Sequence, residues 1–396
     1  MTKQHIDYDL HGIVGIRLVE ATAADAAIVS QQLGPIRATL ARDPDIFIRF
    51  VDRLPISSRV RYLGVDDAGF TDDAFLILRS KHKSRAKVQI PFDRIGRQCE
   101  IVCERGLPAV PLLIAIINLT VLGKGALPLH ASAFTYNDTG ILVTGWAKGG
   151  KTETLLGFMA RGAAYVGDEW IYMSQDGRMY GVPEPIRVWD WHLQEAPQYQ
   201  ALISQSDRAK LRALRLAVKG MDLISDNVKV GKVLAGKTLR RILPVLTRQQ
   251  YVHLPPLKTF GESFCSLKGR PDKVFFVVSH EAPDTIVHQM DSQEIARRMV
   301  FSLQDERREL ISYYMKFRFA FPRLLNNLIE EAETLQLEAL KRLLGDKEAY
   351  AVYHPYPVSI SALFNAISPY CHRKAGSMAT FAMPTTGAVE VMNQGG

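Results

Sequence analysis

The run Gly145 Trp146 Ala147 Lys148 Gly149 Gly150 Lys151 Thr152 fits the pattern G-x-x-x-x-G-K-[ST], whose glycines let backbone N–H groups turn inward around phosphate oxygens. Lys151 can then reach the β- and γ-phosphates of a nucleotide, and Thr152 can offer its hydroxyl to Mg²⁺. The helix expected to start there adds the partial positive charge of its N-terminus. Glu153 follows directly and is a candidate for the outer shell of the same ion. Two carboxylates come next, Asp168 lying 17 residues after Lys151 and Glu169 beside it. A helix of about ten residues covers ~15 Å and a returning strand of about five covers ~17 Å, which brings the acids back to the sheet edge that carries the loop. There they can divide the labour that phosphoryl transfer asks for. Asp168 is expected to orient or deprotonate an attacking hydroxyl, and Glu169, with Thr152, to hold the metal. The plainer alternatives are a glycine-rich turn without a ligand and an acid pair that merely begins a turn.

Other residues could join this site. His130, in LPLHASAF, precedes a strong turn sequence, Asn137 Asp138 Thr139 Gly140, set between two apolar, partly β-branched runs at 129–136 and 141–144. If Tyr136 pairs with Ile141 across that turn, counting back along the antiparallel ladder brings His130 level with Ala147, beside the loop. Arg187 lies in a Pro-bounded segment after the acids, where it either clamps an anionic group or forms a surface ion pair with Glu184 or Asp190. Lys148 either makes a second phosphate contact or points to solvent. Trp189, Trp191 and His192 read as packing residues, since no run of interleaved aromatic and basic residues accompanies them. Cys99 and Cys103 read as core positions.

The elements that must hold these residues follow from pattern and punctuation. A helix over 151–161 closes at Gly162, and a strand over 163–166 completes a strand–helix–strand unit. Strands are expected at 46–51, 75–78, 87–90 and 273–279, and a buried helix in the apolar stretch 107–122. Ser206 can cap an amphipathic helix running to Lys219 and ending at Gly220, with Leu211, Leu214 and Val218 on one side and arginines on the other. Asp291 with Glu294 makes a capping box for a helix to about residue 315, and 324–344 supplies another. The chain from 373 onward is expected to be mobile.

Composition bounds the setting. With 396 residues, 47% apolar and 23% charged, the chain has room for two or three domains and a core that needs no disulfide staples. Its four Cys include no C-x-x-C pair, which argues against a zinc site or a secreted framework. No N-terminal secretion signal and no apolar run long enough to span a membrane are evident, so a cytoplasmic protein is expected. The net charge of +8 is regional: residues 201–270 carry 14 Lys and Arg against 4 Asp and Glu. That region attracts anions without choosing among them.

Taken together, Gly150 Lys151 Thr152 Glu153, the Arg161 Gly162 that closes the helix, the acid pair Asp168 Glu169 and a histidine 21 residues before the lysine resemble the HPr kinase/phosphorylase family, whose core is related to phosphoenolpyruvate carboxykinase. The resemblance spans roughly residues 107–192. The sequence departs from the family in having Glu169 where an Asp is usual, and Ala147 and Lys148 where Ser and Gly are usual. The family's later loop for phosphoprotein contact has no clear counterpart. The resemblance implies a mixed α+β fold of the α/β class, with a P-loop kinase core at 126–290, an N-terminal α+β region at 1–125, C-terminal helices packed on the core at 291–372, and a tail at 373–396. It also implies a cytoplasmic, ATP- and Mg²⁺-dependent kinase. Lys151, Asp168 and His130 would be its catalytic residues, and residues 145–153 would bind nucleotide. The acceptor would be a hydroxyl, most simply a serine of a protein or peptide, or else a small alcohol. A nucleotide-binding regulatory module with little or no transfer is the alternative, and nucleic acid ranks last as a partner. An oligomer is compatible with the sequence.

Overall fold

The computed structural model describes residues 5–64, 67–78, 87–227, 246–247, 249–264 and 267–372. The expected mobile tail, Cys265 and much of the basic region lie outside them. The fold is mixed α+β, with one eight-stranded, one nine-stranded and one two-stranded sheet among the described residues.

The N-terminal sheet contains β1 (Ile6–Leu10), β2 (Val14–Val19), β3 (Ile46–Val51), β4 (Arg61–Leu63), β5 (Ala68–Phe70), β6 (Phe75–Ile77), β7 (Val88–Gln89) and β8 (Cys99–Glu104), in the order β1-β2-β3-β8-β7-β6-β5-β4. In β3 the sequence IFIRFV buries alternate residues, Ile46, Ile48 and Phe50, as a period of two requires. Cys99 and Cys103 are both buried on β8, where the lack of solvent pushes the Cys99 thiol up to about 12. The helix Leu113–Gly123 is apolar all round and buried on nearly every side.

The second sheet is built on β9 (Leu127–Tyr136), which forms a hairpin with β10 (Thr139–Gly145). Tyr136 pairs with Thr139 and not with Ile141, because Asn137 and Asp138 both take left-handed backbone (φ 48° and 56°) and close a two-residue turn of the type whose twist matches the strands. Thr144 therefore stands opposite Ala131, and His130 comes level with Gly145, two residues short of the expected Ala147. A shift of two keeps every side chain on its expected face. After β10 come the helix Lys151–Met159 and then β11 (Ala164–Gly167), which lies antiparallel to β9 on its other edge. The strand–helix–strand unit is thus present with β9 inserted between its two parallel strands. A second segment, β12 (Trp170–Met173), continues along that same edge of β9, pairing Trp170 with His130, and β13 (Met179–Gly181) pairs with β12. Next come the two-stranded sheet of β14 (Ile186–Trp189) and β15 (Tyr251–Leu254), the short β16 (Lys268–Gly269), and β17 (Lys273–His280). Then follow β18 (Ile286–Gln289) and β19 (Glu348–Pro355). The order across the large sheet is β16-β13-β12-β9-β10-β17-β19-β18, with β10, β17 and β19 parallel.

Several helices differ from expectation for local reasons. The basic helix runs Gln205–Asn227, starting at Ser204, whose hydroxyl accepts the Asp207 N–H at 3.1 Å, and passing through Gly220. Asp291 caps the helix Ser292–Ala320 by accepting from the Gln293 N–H. Glu294 turns outward to Arg297 and Arg298 and completes no capping box. The expected helix over 324–344 is divided at Glu331 into Asn327–Glu330, capped by Asn326, and Ala332–Leu344. The C-terminal region also supplies a strand, β19, inside the large sheet.

The helix Ser292–Ala320 joins the two halves of the molecule. Its first half buries Ile295, Met299 and Leu303 against β9, β10 and β17, while Leu310, Tyr314 and Phe317 in its second half pack into the N-terminal core. On the opposite face of the large sheet, Phe158 of the helix Lys151–Met159 stacks on Phe134 and meets Phe364 at a tilt, with ring centroids at 4.7 and 4.8 Å. Phe158→Ala should cost about 3–5 kcal/mol, since it leaves a cavity between the large sheet and the helix Ile360–Ile367 that carries Phe364. Urea unfolding of the variant checks this, and a loss below ~1 kcal/mol would contradict the packing described.

Candidate active site

The loop between β10 and its helix owes its shape to two backbone positions. Gly150 has φ 102°, and a Cβ placed there would come within 2.7 Å of His354 Nε2. A Cβ on Gly145 would lie 2.4 Å from the Val277 carbonyl oxygen. Only glycine meets both demands without displacing its neighbours. Lys148, at the tip, is exposed and also left-handed, with φ 63°. Lys151 is buried, and its Nζ donates back to the carbonyl oxygens of Trp146 (2.8 Å) and Gly145 (3.4 Å). Burial lowers its pKa even with Glu169 and Asp168 nearby.

The acids sit where the chain passes from β11 to β12. A bulge before Gly167 and a left-handed Glu169 (φ 66°) turn the backbone sharply, so the two side chains leave in different directions. Asp168 is buried and accepts from the Thr152 hydroxyl at 3.0 Å and from the Ser132 hydroxyl through its other oxygen. Burial, and then the neighbouring Glu169, raise its pKa to about 6. Glu169 does not meet Thr152, as the expected metal pair required. Its Oε2 lies 3.0 Å from His130 Nε2. The Thr152 hydroxyl and a carboxylate do converge, but the carboxylate is that of Asp168.

His130 is held from both sides, by Glu169 and by Glu306 Oε1, 2.8 Å from its Nδ1. Burial lowers its pKa, but these two carboxylates outweigh that and raise it. For Glu169, burial pushes upward while His130, Lys151 and Arg187 pull further down, leaving it lowered. Arg187 is exposed on β14, lies over the Tyr251 ring at 4.9 Å, and acts on Glu169 through its charge. Neither proposed surface partner holds it: Asp190 is taken by Arg215 at 2.6 Å, and Glu184 is turned inward with Oε1 buried and unpartnered. Burial and the nearby Glu169 and Asp168 raise the Glu184 pKa well above the ordinary value. Glu153 also points inward, 2.9 Å from the buried His192, and so is committed to that pair instead of the expected outer shell of a metal.

Sequence reasoning missed Ser132, Glu306 and His354, and placed Glu184 at the surface instead of beside the acids. Ser132 could have been found by its alternation with His130 on one strand. Glu306 and His354 carry no local signal, since each reaches the loop from more than 150 residues away. Among the described residues, no group of three or more His, Cys, Asp or Glu is arranged to hold a metal ion by itself. The Thr152 hydroxyl and the Asp168 carboxylate are nevertheless hard oxygen donors side by side, which suits Mg²⁺ completed by phosphate oxygens and water. A scan against protein-family models finds no family that matches the chain, and a search of curated proteins finds no relative. No helix among the described residues is long and apolar enough to cross a membrane.

Because Asp168 titrates higher in the folded chain than in the unfolded one, it favours folding below the ordinary carboxylate range and loses that contribution as pH rises through about 6. Carbon-13 NMR of the nucleotide-free protein should show an aspartate carboxyl titrating near pH 6 that disappears in Asp168→Asn. A value at or below 4 would contradict the burial described.

Proposed function

We propose that the chain is an ATP-dependent kinase of the HPr kinase-like type, with a P-loop core, that transfers the γ-phosphate to a hydroxyl, most simply a serine of a protein or peptide. The observation that carries this reading is the 3.0 Å contact between the Thr152 hydroxyl, in the first helical turn after the glycine loop, and the Asp168 carboxylate at the corner between β11 and β12. A loop serving only as a turn has no need of a buried acid at its mouth.

In this reading Mg²⁺ would be held by Thr152 and Asp168 and would neutralise charge on the phosphates. The loop amides and Lys151 bind the β- and γ-phosphates, Lys151 leaving its two carbonyl partners for them. Glu169, whose side chain is 44% exposed, is placed to orient the acceptor hydroxyl and receive its proton. That oxygen bonds to the γ-phosphorus as the bond to the bridging oxygen breaks, and ADP leaves with the electron pair. His130, whose protonated form the two flanking carboxylates favour, would present that charge to the transferring group. Because the transition state is loose, positioning and electrostatics account for most of the acceleration. This reading exchanges the roles first expected of the two acids, on the support of the Thr152–Asp168 contact.

Labelled ATP incubated with the protein and an extract of its source should label an acceptor. Asp168→Asn should lower transfer by about 10²-fold or more while nucleotide binding survives, and Glu169→Gln should lower kcat with little change in KM for ATP. Nucleotide binding with no transfer by the wild type would favour the regulatory module instead.

A further inference from the structure

The glycine loop is held by a residue some 200 positions further along the chain. His354, on β19, is buried, and each nitrogen of its ring faces a carbonyl oxygen, Nε2 that of Gly149 at 2.8 Å and Nδ1 that of Pro355 at 2.9 Å. A carbonyl only accepts, so a ring bearing one proton can serve only one of them. The Gly149 oxygen is buried and has no other partner among the described residues, whereas the contact with Pro355 is only part-buried. A buried acceptor left unmet costs more than one that water can reach, which puts the proton on Nε2. The ring is itself anchored, because β19 pairs in parallel with β17 and sets His354 opposite Ser279.

This one bond orients a whole peptide group. The unit joining Gly149 to Gly150 is planar and trans, so its N–H points away from its C=O. With the oxygen turned to His354, the Gly150 N–H is aimed away from the ring, and it meets no acceptor among the described residues. Glycine at both ends leaves such a peptide free to flip, since neither residue has a Cβ to restrict it. A flip would present a carbonyl oxygen where an N–H had been, and repel a phosphate that the N–H attracts. Stiffer residues are shut out, because a Cβ on Gly149 would lie 3.0 Å from the Trp146 carbonyl oxygen and one on Gly150 2.7 Å from His354 Nε2. The rigidity that the two glycines lack has to come from the hydrogen bond.

We infer that His354 is a positioning residue for phosphate binding: its Nε2–H holds the Gly149 carbonyl back and thereby keeps the Gly150 N–H directed at the phosphate oxygens, without touching them itself. The inference rests on the reading of the loop as a phosphate cradle, and needs neither transfer nor any particular acceptor.

Calorimetric titration of the full-length protein with pyrophosphate and with MgATP tests it, on the wild type, His354→Leu and His354→Gln. Leucine fills the space without a donor and should weaken both ligands about tenfold or more, whereas glutamine keeps a donor and should stay within about threefold of the wild type. Two readings on the wild type hold even where a substitution fails to fold. With ¹⁵N-glycine labelling, the Gly150 amide proton should move downfield as pyrophosphate binds, and long-range proton–nitrogen spectra should show His354 protonated at Nε2. Wild-type affinity in His354→Leu, an equal loss in both variants, a Gly150 amide unmoved by bound pyrophosphate, or a proton on Nδ1 alone overturns the inference while the cradle stands. A wild type that binds neither pyrophosphate nor MgATP overturns the cradle reading and the inference together. Binding that depends on His354 in a protein that transfers no phosphate supports the inference and counts against the kinase.

Discussion

The site depends on one strand being hydrogen-bonded along both edges. β9 pairs with β10 on one side and with β11 and β12 in succession on the other, so the loop that ends β10 and the corner that joins β11 to β12 are fixed relative to the same backbone. Ser132 and His130, on β9 itself, then reach Asp168 and Glu169 across that corner. Without β9 in the middle, a helix and a returning strand would still bring an acid back to the loop, but neither Ser132 nor His130 would be there to meet the pair.

Charge burial explains the remaining arrangement. Asp168, Glu169 and Glu184 crowd the corner, with Lys151, His130 and Arg187 as nearby cations. The low dielectric strengthens every attraction and every repulsion among them. The acids respond unequally: Glu169, beside His130, is held low, whereas Asp168 and Glu184 are pushed up. Neighbouring carboxyl groups driven apart in this way are the arrangement expected where one must stay charged and another must exchange protons or ligands.

Much of this was legible in the sequence where the signal is local. The loop motif, β3 at Ile46–Val51, the Asp291 cap and the return of the acids to the loop edge all follow from turn chemistry, periodicity and segment length. The hairpin register was misjudged because four turn-forming residues were read as the loop, when Asn137 and Asp138 alone adopt left-handed backbone. The direction of each acid was also out of reach, since a bulge and a single positive φ at Glu169 decide it. Glu306 and His354 carry no local signal for a different reason: their roles arise from packing between segments far apart in the chain, which no window of sequence contains.

The helix Ser292–Ala320 is ~43 Å long at 1.5 Å per residue, with one end wedged against the large sheet and the other set among the aromatic rings of the N-terminal half. Glu306 sits near its midpoint, like a mark on a beam clamped at both ends. Any tilt of the N-terminal half must therefore be felt as a change in the gap between Glu306 and His130, which ties that half to the spacing of the groups around the glycine loop.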